Sequence, residues 1–271
     1  MSLHLTYKAE SSIPVDAEGL VPERVCGRSL GEIERQSLLH GNRRVPLAEL
    51  FNVSGDADDG QLDLEGDLSR VHGIGAGLSG GTIRVHGSAG RHVGSRMTAG
   101  RIEVRGDAGD WLGSEMQGGE IHVLGDAGDA VGAALPGAVK GMAGGVIAVE
   151  GDAGHQLGSG MRRGLIAVAG KAGDMLGVNM LAGTILTMAG CGAHPGANMR
   201  RGTIVLAGGD STQLLPTFRY ACRYRPGFLP LVVKQLERCG LRLDPSVAAA
   251  EYDLFGGDML DLGRGEIFVR A

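Results

Sequence analysis

From Gly87 to Ala207 apolar and polar positions recur with a 19-residue period, and one unit is written six times. The copy Gly106–Leu124 reads GDAGDWLGSEMQGGEIHVL, with glycine at places 1, 4, 8 and 14, methionine at 11, isoleucine at 16 and valine at 18. The methionines are Met97, Met116, Met142, Met161, Met180 and Met199; the isoleucines are Ile102, Ile121, Ile147, Ile166, Ile185 and Ile204. The third copy carries seven extra residues between Gly132 and Met142, and a looser copy, Gly66–His86, precedes the array. Alternation around Ile-x-Val has the period of two expected of a β-strand. Glycines punctuate it as turn residues, and no stretch between them is long enough for a helix. The Leu-x-x-Leu-x-Leu ladder of leucine-rich repeats is absent. A fixed period of this length predicts an all-β fold, a right-handed parallel β-helix. It would be a single-stranded solenoid of 19-residue coils. Seven coils stacked about 4.8 Å apart would span roughly 30 Å.

The identities follow from such a coil. Alanine or cysteine at place 3 (Ala89, Ala108, Ala127, Ala153, Ala172, Cys191) suits a narrow corner. Place 7 (Val93, Leu112, Val131, Leu157, Leu176), the methionines, the isoleucines and place 18 fill the remaining interior as ladders. A flexible thioether fills an irregular gap well, and thioethers alone make a poor metal site. The corner aspartates Asp107, Asp126 and Asp152 admit calcium or turn chemistry. Calcium-binding solenoids use a nine-residue period that is missing here, which favours the turn.

Three segments are expected. Residues 1–54 form an N-terminal α/β cap, with Leu3–Lys8 as a strand and Ser29-x-x-Glu32 as the capping box of a short helix. This segment either covers the open end of the array or docks a partner. Residues 55–209 form the solenoid of about seven coils. Residues 210–271 form a C-terminal helical cap with one helix. That helix is Phe228–Cys239, with Pro230 in its first turn and Gly240 past its end, lying over the last coil. Glu266–Arg270 can supply one more strand.

Composition narrows the function. The chain has 271 residues, 49 of them glycine, yet lacks the every-third-residue glycine of collagen. Aromatics are 4%, as a narrow interior requires, and the net charge of −5 without a long basic block argues against nucleic acid. No apolar run of about 18 residues and no signal-peptide layout occurs. Cys26, Cys191, Cys222 and Cys239 are scattered without CxxC spacing, so a reduced, cytoplasmic protein is expected. Lysine occurs only at Lys8, Lys140, Lys171 and Lys234, an arginine bias of the kind found in GC-rich bacterial genomes.

Three outward features are candidate contact surfaces. Place 6 lines up His92, Trp111, Ala130, Gln156, Met175 and His194, either a protein interface or scattered apolar exposure. Met-Arg-Arg-Gly occurs twice, so Arg162, Arg163, Arg200 and Arg201 come two coils apart and about 10 Å across. They either hold carboxylates in bidentate pairs or make ordinary surface ion pairs. The insertion Ala133–Gly141, which carries Lys140, should project as a loop. No nucleophile elbow, phosphate loop, paired-histidine spacing or metal set is present. No catalytic residue, metal site or cofactor is therefore expected on this chain, and the pattern reads as a scaffold.

The repeat resembles the Gly-x-Gly-x-Gly solenoid shared by the C-terminal domain of the glutamate synthase large subunit and by the C subunit of formylmethanofuran dehydrogenase. The flanks are similar to the second family over nearly the whole chain. They are Gly41-Asn42, Leu47-x-x-Leu50-Phe51-x-Val53, Lys140-Gly141-Met142, Met161-Arg-Arg-Gly164, Ala197-Asn198-Met199-Arg-Arg-Gly202 and Leu215-Pro216-Thr217-Phe218. The family has an archaeal branch, in molybdenum- or tungsten-pterin complexes with iron–sulfur clusters, and a branch in methylotrophic bacteria. The arginine bias favours the bacterial branch. That resemblance implies a non-catalytic subunit of a formyltransferase/hydrolase complex, beside a formyltransferase subunit, an amidohydrolase-like subunit with a metal and a further subunit. The complex would move formyl from tetrahydromethanopterin to a methanofuran-type carrier and release formate. Such carriers bear an anionic glutamate tail, which the four arginines and Lys140 would guide. A free-standing glutamate synthase-type domain and a polysaccharide lyase are the rival classes.

Overall fold

The computed structural model describes residues 2–9, 11–208 and 213–271; the expected boundary at Gly209–Asp210 lies outside them. The N-terminal segment contributes β1 (Leu3–Tyr7), β2 (Val15–Asp16), α1 (Pro22–Val25), α2 (Leu30–Glu34), β3 (Ser37–His40), β4 (Arg43–Pro46), α3 (Leu47–Leu50) and β5 (Phe51–Gly55). Then come β6 (Gln61–Glu65), β7 (Val71–His72), β8 (Thr82–Val85), β9 (Arg101–Val104), β10 (Glu120–Val123), β11 (Ala143–Val149), β12 (Arg163–Val168), β13 (Thr184–Thr187) and β14 (Arg201–Leu206). The C-terminal segment holds β15 (Arg219–Tyr224), α4 (Leu229–Cys239), α5 (Ser246–Ala249), β16 (Tyr252–Gly257) and β17 (Arg264–Arg270).

The predicted Ile-x-Val strands lie in one large sheet of 13 strands, ordered β15-β16-β17-β14-β13-β12-β11-β10-β9-β8-β6-β1-β5. From β6 to β14 every pairing is parallel, with one register shift in β11 between Ala143 and Val146, and the isoleucines stay aligned, Ile102 beside Ile121, Ile121 beside Ile147 and so on to Ile204. A second parallel ladder of single bridges links Leu68, Ala89, Ala108, Ala127, Ala153, Ala172 and Cys191, the small corner residues. Methionines, isoleucines and place-7 residues of the array are fully buried between the two ladders. The interior is aliphatic apart from its methionines; Phe51 and Phe218 enter it from the flanking segments.

Two glycine places are set by close approach. A Cβ on Gly119, whose φ is +87°, would lie 2.5 Å from Met97 Cε of the preceding repeat. The same methionine–glycine contact recurs for Met116 with Gly145 and Met142 with Gly164. A Cβ on Gly158 would lie 2.5 Å from Ile185 Cδ1 of the next repeat. Glycine at places 8 and 14 therefore lets neighbouring repeats close to strand spacing.

Both flanking segments add strands to the array. β1 pairs in parallel with β6, and β5 turns back antiparallel on β1. At the other end β17 pairs in parallel with β14, placing Gly265 beside Gly202 and Ile267 beside Ile204. The expected strand at Glu266–Arg270 is thus a further rung of the same period. β16 and β15 follow it antiparallel. The capping box at α2 is formed, with Ser29 N–H donating to Glu32 Oε2 at 2.9 Å.

One expectation is corrected. The helix predicted at Phe228–Cys239 is present as α4, ending on left-handed Gly240, but it packs against β10 and β11 on the flank of the sheet rather than over the last repeat. Its apolar face (Leu229, Val233, Leu236) shares one buried cluster with Val146, Ala148, Leu165, Ala167, Leu186 and Val205. The reason lies in place 17, which is Glu103 and His122 early in the array but Ala148, Ala167, Leu186 and Val205 from the third copy onward, with Val146 and Leu165 at place 15 of the third and fourth copies. An aliphatic outer face needs cover. At the end of the array Phe218 is buried instead, with its ring 3.0 Å from a Cβ placed on Gly196 and 2.5 Å from one on Gly257.

Candidate functional site: an arginine edge beside the insertion loop

Place 11 points inward, so places 12 and 13 must point out as the chain enters each strand. Arg162, Arg163, Arg200 and Arg201 are accordingly all exposed. Arg264 stands beside Arg201 across β14 and β17, adding a fifth guanidinium to the edge. Sequence reasoning missed Arg264, although Gly265-Glu266-Ile267-Phe268-Val269 carries the Gly-x-Ile-x-Val signal that places it. Arg200 is committed: its Nε donates to Asp261 Oδ2 at 2.8 Å. Among the described residues the other four make no ion pair with a carboxylate.

The insertion loop lies along this edge. Ala134 N–H donates to Ser159 O at 3.1 Å and Gly141 N–H to Gly160 O at 2.9 Å, which pins both loop ends to the next repeat. Between loop and array runs a cleft of about 320 Å³, lined by Ala138, Val139, Asn179, Leu181, Asn198 and Arg200. Asn198 donates to Asn179 Oδ1 at 2.5 Å, continuing an asparagine row toward Arg200. Below it Asp258 is buried. Burial raises its carboxyl, but hydrogen bonds from the Leu260 and Asn198 N–H groups outweigh that and hold it below the ordinary range. Lys140 is exposed on the loop and does not line the cleft.

The place-6 stripe faces outward but forms a row apart from the arginines. His92 and Trp111 stack with ring centroids 5.2 Å apart and planes 9° from parallel. Met175 is 38% exposed and His194 is exposed. Burial, then the charge of Arg91, lowers the His92 pKa. All six positions hold left-handed backbone, with φ between 57° and 63°. That conformation aims the Trp111 N–H at Asp129 O one repeat on, at 2.8 Å, while Gly113 N–H returns to Val93 O at 2.8 Å. The variable residues here gave no sequence signal for it, since left-handed backbone ordinarily selects glycine or asparagine. The stripe meets the loop at a second cleft of about 330 Å³, between His72, His92, Arg96 and Leu135.

The aspartates bond between repeats rather than within turns. Asp107 Oδ1 accepts the Asp126 N–H at 2.9 Å, and Asp126 Oδ1 the Asp152 N–H at 2.7 Å. Among the described residues no group of three or more His, Cys, Asp or Glu is arranged to hold a metal. The Cys239 thiol, pushed up to about 11 by burial and by Glu120, stays protonated at neutral pH. No described helix is long and apolar enough to cross a membrane.

No protein-family model matches the chain. The C subunit of tungsten-containing formylmethanofuran dehydrogenase 2 from Methanothermobacter thermautotrophicus is 38% identical over 94 residues, 33% of this chain and 35% of that protein. The C subunit of molybdenum-containing formylmethanofuran dehydrogenase 1 from Methanosarcina barkeri is 39% identical over 93 residues, 33% of this chain and 31% of that one. The chain thus matches about a third of the length of these curated relatives. A chain in the crystal structure of the formyltransferase/hydrolase complex from Methylorubrum extorquens, solved with methylofuran, superimposes with a TM-score of 0.92. It is 34% identical, and the match covers 99% of each chain.

Proposed function

Because this chain belongs to the family of formylmethanofuran dehydrogenase C subunits, we propose that it is a non-catalytic scaffold subunit of a formyltransferase/hydrolase complex. The observation that carries this reading is the end-to-end match to a chain of such a complex, at 34% identity over 99% of both chains. In this reading the complex passes formyl from tetrahydromethanopterin to a methanofuran-type carrier and hydrolyses it to formate. Chemistry and metal then sit on a formyltransferase subunit and an amidohydrolase-like subunit, and a further subunit makes up the assembly. The array itself is read as a right-handed β-helix; its two in-register parallel ladders support that description. Segments 1–54 and 210–271 are read as caps that lend β1 and β17 to the stack.

The guanidinium groups of Arg162, Arg163 and Arg201, which have no carboxylate partner among the described residues, suit the anionic tail of such a carrier. Arg200 lines the adjoining cleft, and Lys140, exposed on the insertion loop, is read as part of the same carrier-guiding set. Guanidinium groups bind carboxylates bidentately, and their attraction extends about 10 Å at 0.1 M salt. Replacing Arg162, Arg163, Arg200 and Arg201 together with Gln should slow formyl transfer several-fold at low salt in an intact complex. Unchanged kinetics in a fully assembled quadruple variant would reject the guiding role. His92, Trp111, Met175 and His194 are the proposed interface with a neighbouring subunit.

The curated relatives favour a second reading, the C subunit of a molybdenum- or tungsten-containing dehydrogenase. Purification of the native assembly, with subunit masses and elemental analysis, separates the two. Zinc with three other subunits and no molybdenum, tungsten or iron–sulfur is the expected result. Molybdenum or tungsten with iron–sulfur would move the chain to the dehydrogenase reading. A chain that purifies alone would remove both.

A further inference from the structure

The turn between β16 and β17 is braced from several sides, yet it presents large apolar side chains to solvent. Met259 is 51% exposed, Leu260 84% and Leu262 61%. Three such residues within four positions form a patch, unlike the single apolar side chains scattered over an ordinary surface. Beneath them, buried Asp258 accepts the Leu260 N–H at 3.0 Å and the Asn198 N–H at 3.1 Å. Met259 N–H donates to Thr217 O at 3.2 Å, and the Asp261 and Gly263 N–H groups donate to Asp258 O at 3.1 and 3.0 Å. Arg200 Nε holds Asp261 Oδ2 at 2.8 Å. Groups fixed before contact lose little freedom on binding.

The surroundings are basic. Arg264 directly follows the turn, and Arg201 stands beside it across the β14–β17 pairing. Neither makes an ion pair with a carboxylate among the described residues. Nearby carboxylates have other partners: Asp261 binds Arg200, and Glu266 Oε2 accepts the Thr203 hydroxyl at 3.4 Å. An apolar projection flanked by unpaired guanidinium groups is complementary to an apolar pocket rimmed by Asp and Glu.

We propose that the β16–β17 turn is a docking knob for another subunit of the assembly, one that offers an apolar pocket with an acidic rim. The inference rests on the scaffold reading and goes beyond it, because this surface is separate from the place-6 stripe. The likeness to one chain of a formyltransferase/hydrolase complex favours a protein over a lipid surface as the occupant. Burial of Leu260 and Leu262 supplies the hold. Charges at a rim chiefly set the rate and salt dependence of association, so replacement of the arginines alone leaves the assembly intact.

The test uses the full chain in the purified native assembly. Replacing Leu260 and Leu262 together with Ser should raise the Kd of one subunit about tenfold, with circular dichroism of the chain unchanged. Arg264→Glu should slow association of that same subunit several-fold at low salt, an effect that fades at high salt. With p-benzoylphenylalanine in place of Leu260, irradiation should cross-link that subunit, through a peptide that carries both apolar and acidic residues. A wild-type chain that purifies alone would remove the scaffold reading and this inference with it. A complete wild-type assembly whose double Ser variant keeps every subunit equally tightly would overturn this inference alone. So would cross-linking to a second copy of this chain, or no cross-link at all. Wild-type binding to phosphatidylglycerol vesicles that the double Ser variant loses while its assembly stays intact would assign the turn to a membrane instead.

Discussion

At the scale of single residues the interior ladders show where the repeat is satisfied and where it is not. Thr187 occupies place 18, where other copies carry Val104, Val123, Val149 and Val168. It is fully buried, and its hydroxyl oxygen has no hydrogen-bond partner among the described residues. Thr187→Val should therefore stabilise the chain by about 1 kcal/mol, because a buried hydroxyl without a partner carries its full desolvation cost. Chemical denaturation reads this as a higher midpoint at unchanged slope. Gly119→Ala should act in the opposite direction, by on the order of 3 kcal/mol from left-handed strain and overpacking against Met97. The same substitution made with Met97→Ala should cost less, a coupling that a double-mutant cycle measures. Asp63 is a third case, buried and 2.8 Å from the His86 ring. Burial raises its carboxyl, but His86, Ser2 and Arg84 outweigh that and hold it below the ordinary range. A folded-state pKa below the unfolded one adds stability above the unfolded value, about 3.9, and loses it as pH falls through the folded value. The stability gap between wild type and Asp63→Asn should hold from neutral pH to about 5 and close in stronger acid. A gap that persists at pH ~2 would assign Asp63 a packing role.

At the scale of elements, the decisive contact is α4 on β10 and β11. Leu236 is fully buried there, and Leu236→Ala should cost about 2–5 kcal/mol, the range for a buried leucine removed from a packed core. The helix end is tied down by polar groups as well. Arg101 donates to the Cys239 carbonyl at 3.0 Å and pairs with Glu120 at 3.2 Å, while His122 lies 3.0 Å from Glu150 beneath Gly240. A cation beside the C-terminal carbonyls also suits the helix dipole. Arg101→Ala should raise hydrogen exchange over residues 236–241 while β12 and β13 stay protected. Equal loss of protection throughout would mean that α4 and the array open as one unit.

At the scale of the whole molecule, the strand ladders join each repeat to its neighbours alone, so the array's stability should be close to a sum over repeats and their interfaces. Excision of Gly170–Met188, one full period, brings Ala169 to Ala189 and keeps every ladder in register. That variant should remain folded and cooperative with a lower Tm. Removal of only half as many residues should prevent folding, because a strand moved out of period turns its buried set outward. Thermal unfolding followed by circular dichroism distinguishes the two. A full-period deletion that fails to fold would show that the flanking segments, not the repeat interfaces, hold the stack.

The sequence by itself determined the period, the strands and the interior. Glycine, methionine and isoleucine return at fixed places because close approach leaves no other side chain room, as at Gly119 against Met97 and Gly158 against Ile185. It also marked α2, α4 and the final strand through capping and alternation, which are local effects. The left-handed turns at place 6 were not legible, because hydrogen bonds to the next repeat impose them whatever side chain is present, from Trp111 to Ala130. The site of α4 was only half legible. Its amphipathic face announces that it packs, and the aliphatic run at place 17 (Ala148, Ala167, Leu186, Val205) announces that something covers it, but neither names the other. Tertiary structure alone paired Arg200 with Asp261 and set the insertion loop against Asn179 and Asn198. These contacts join residues distant in the chain, and the free energy that selects them belongs to the assembled surface, not to any local pattern.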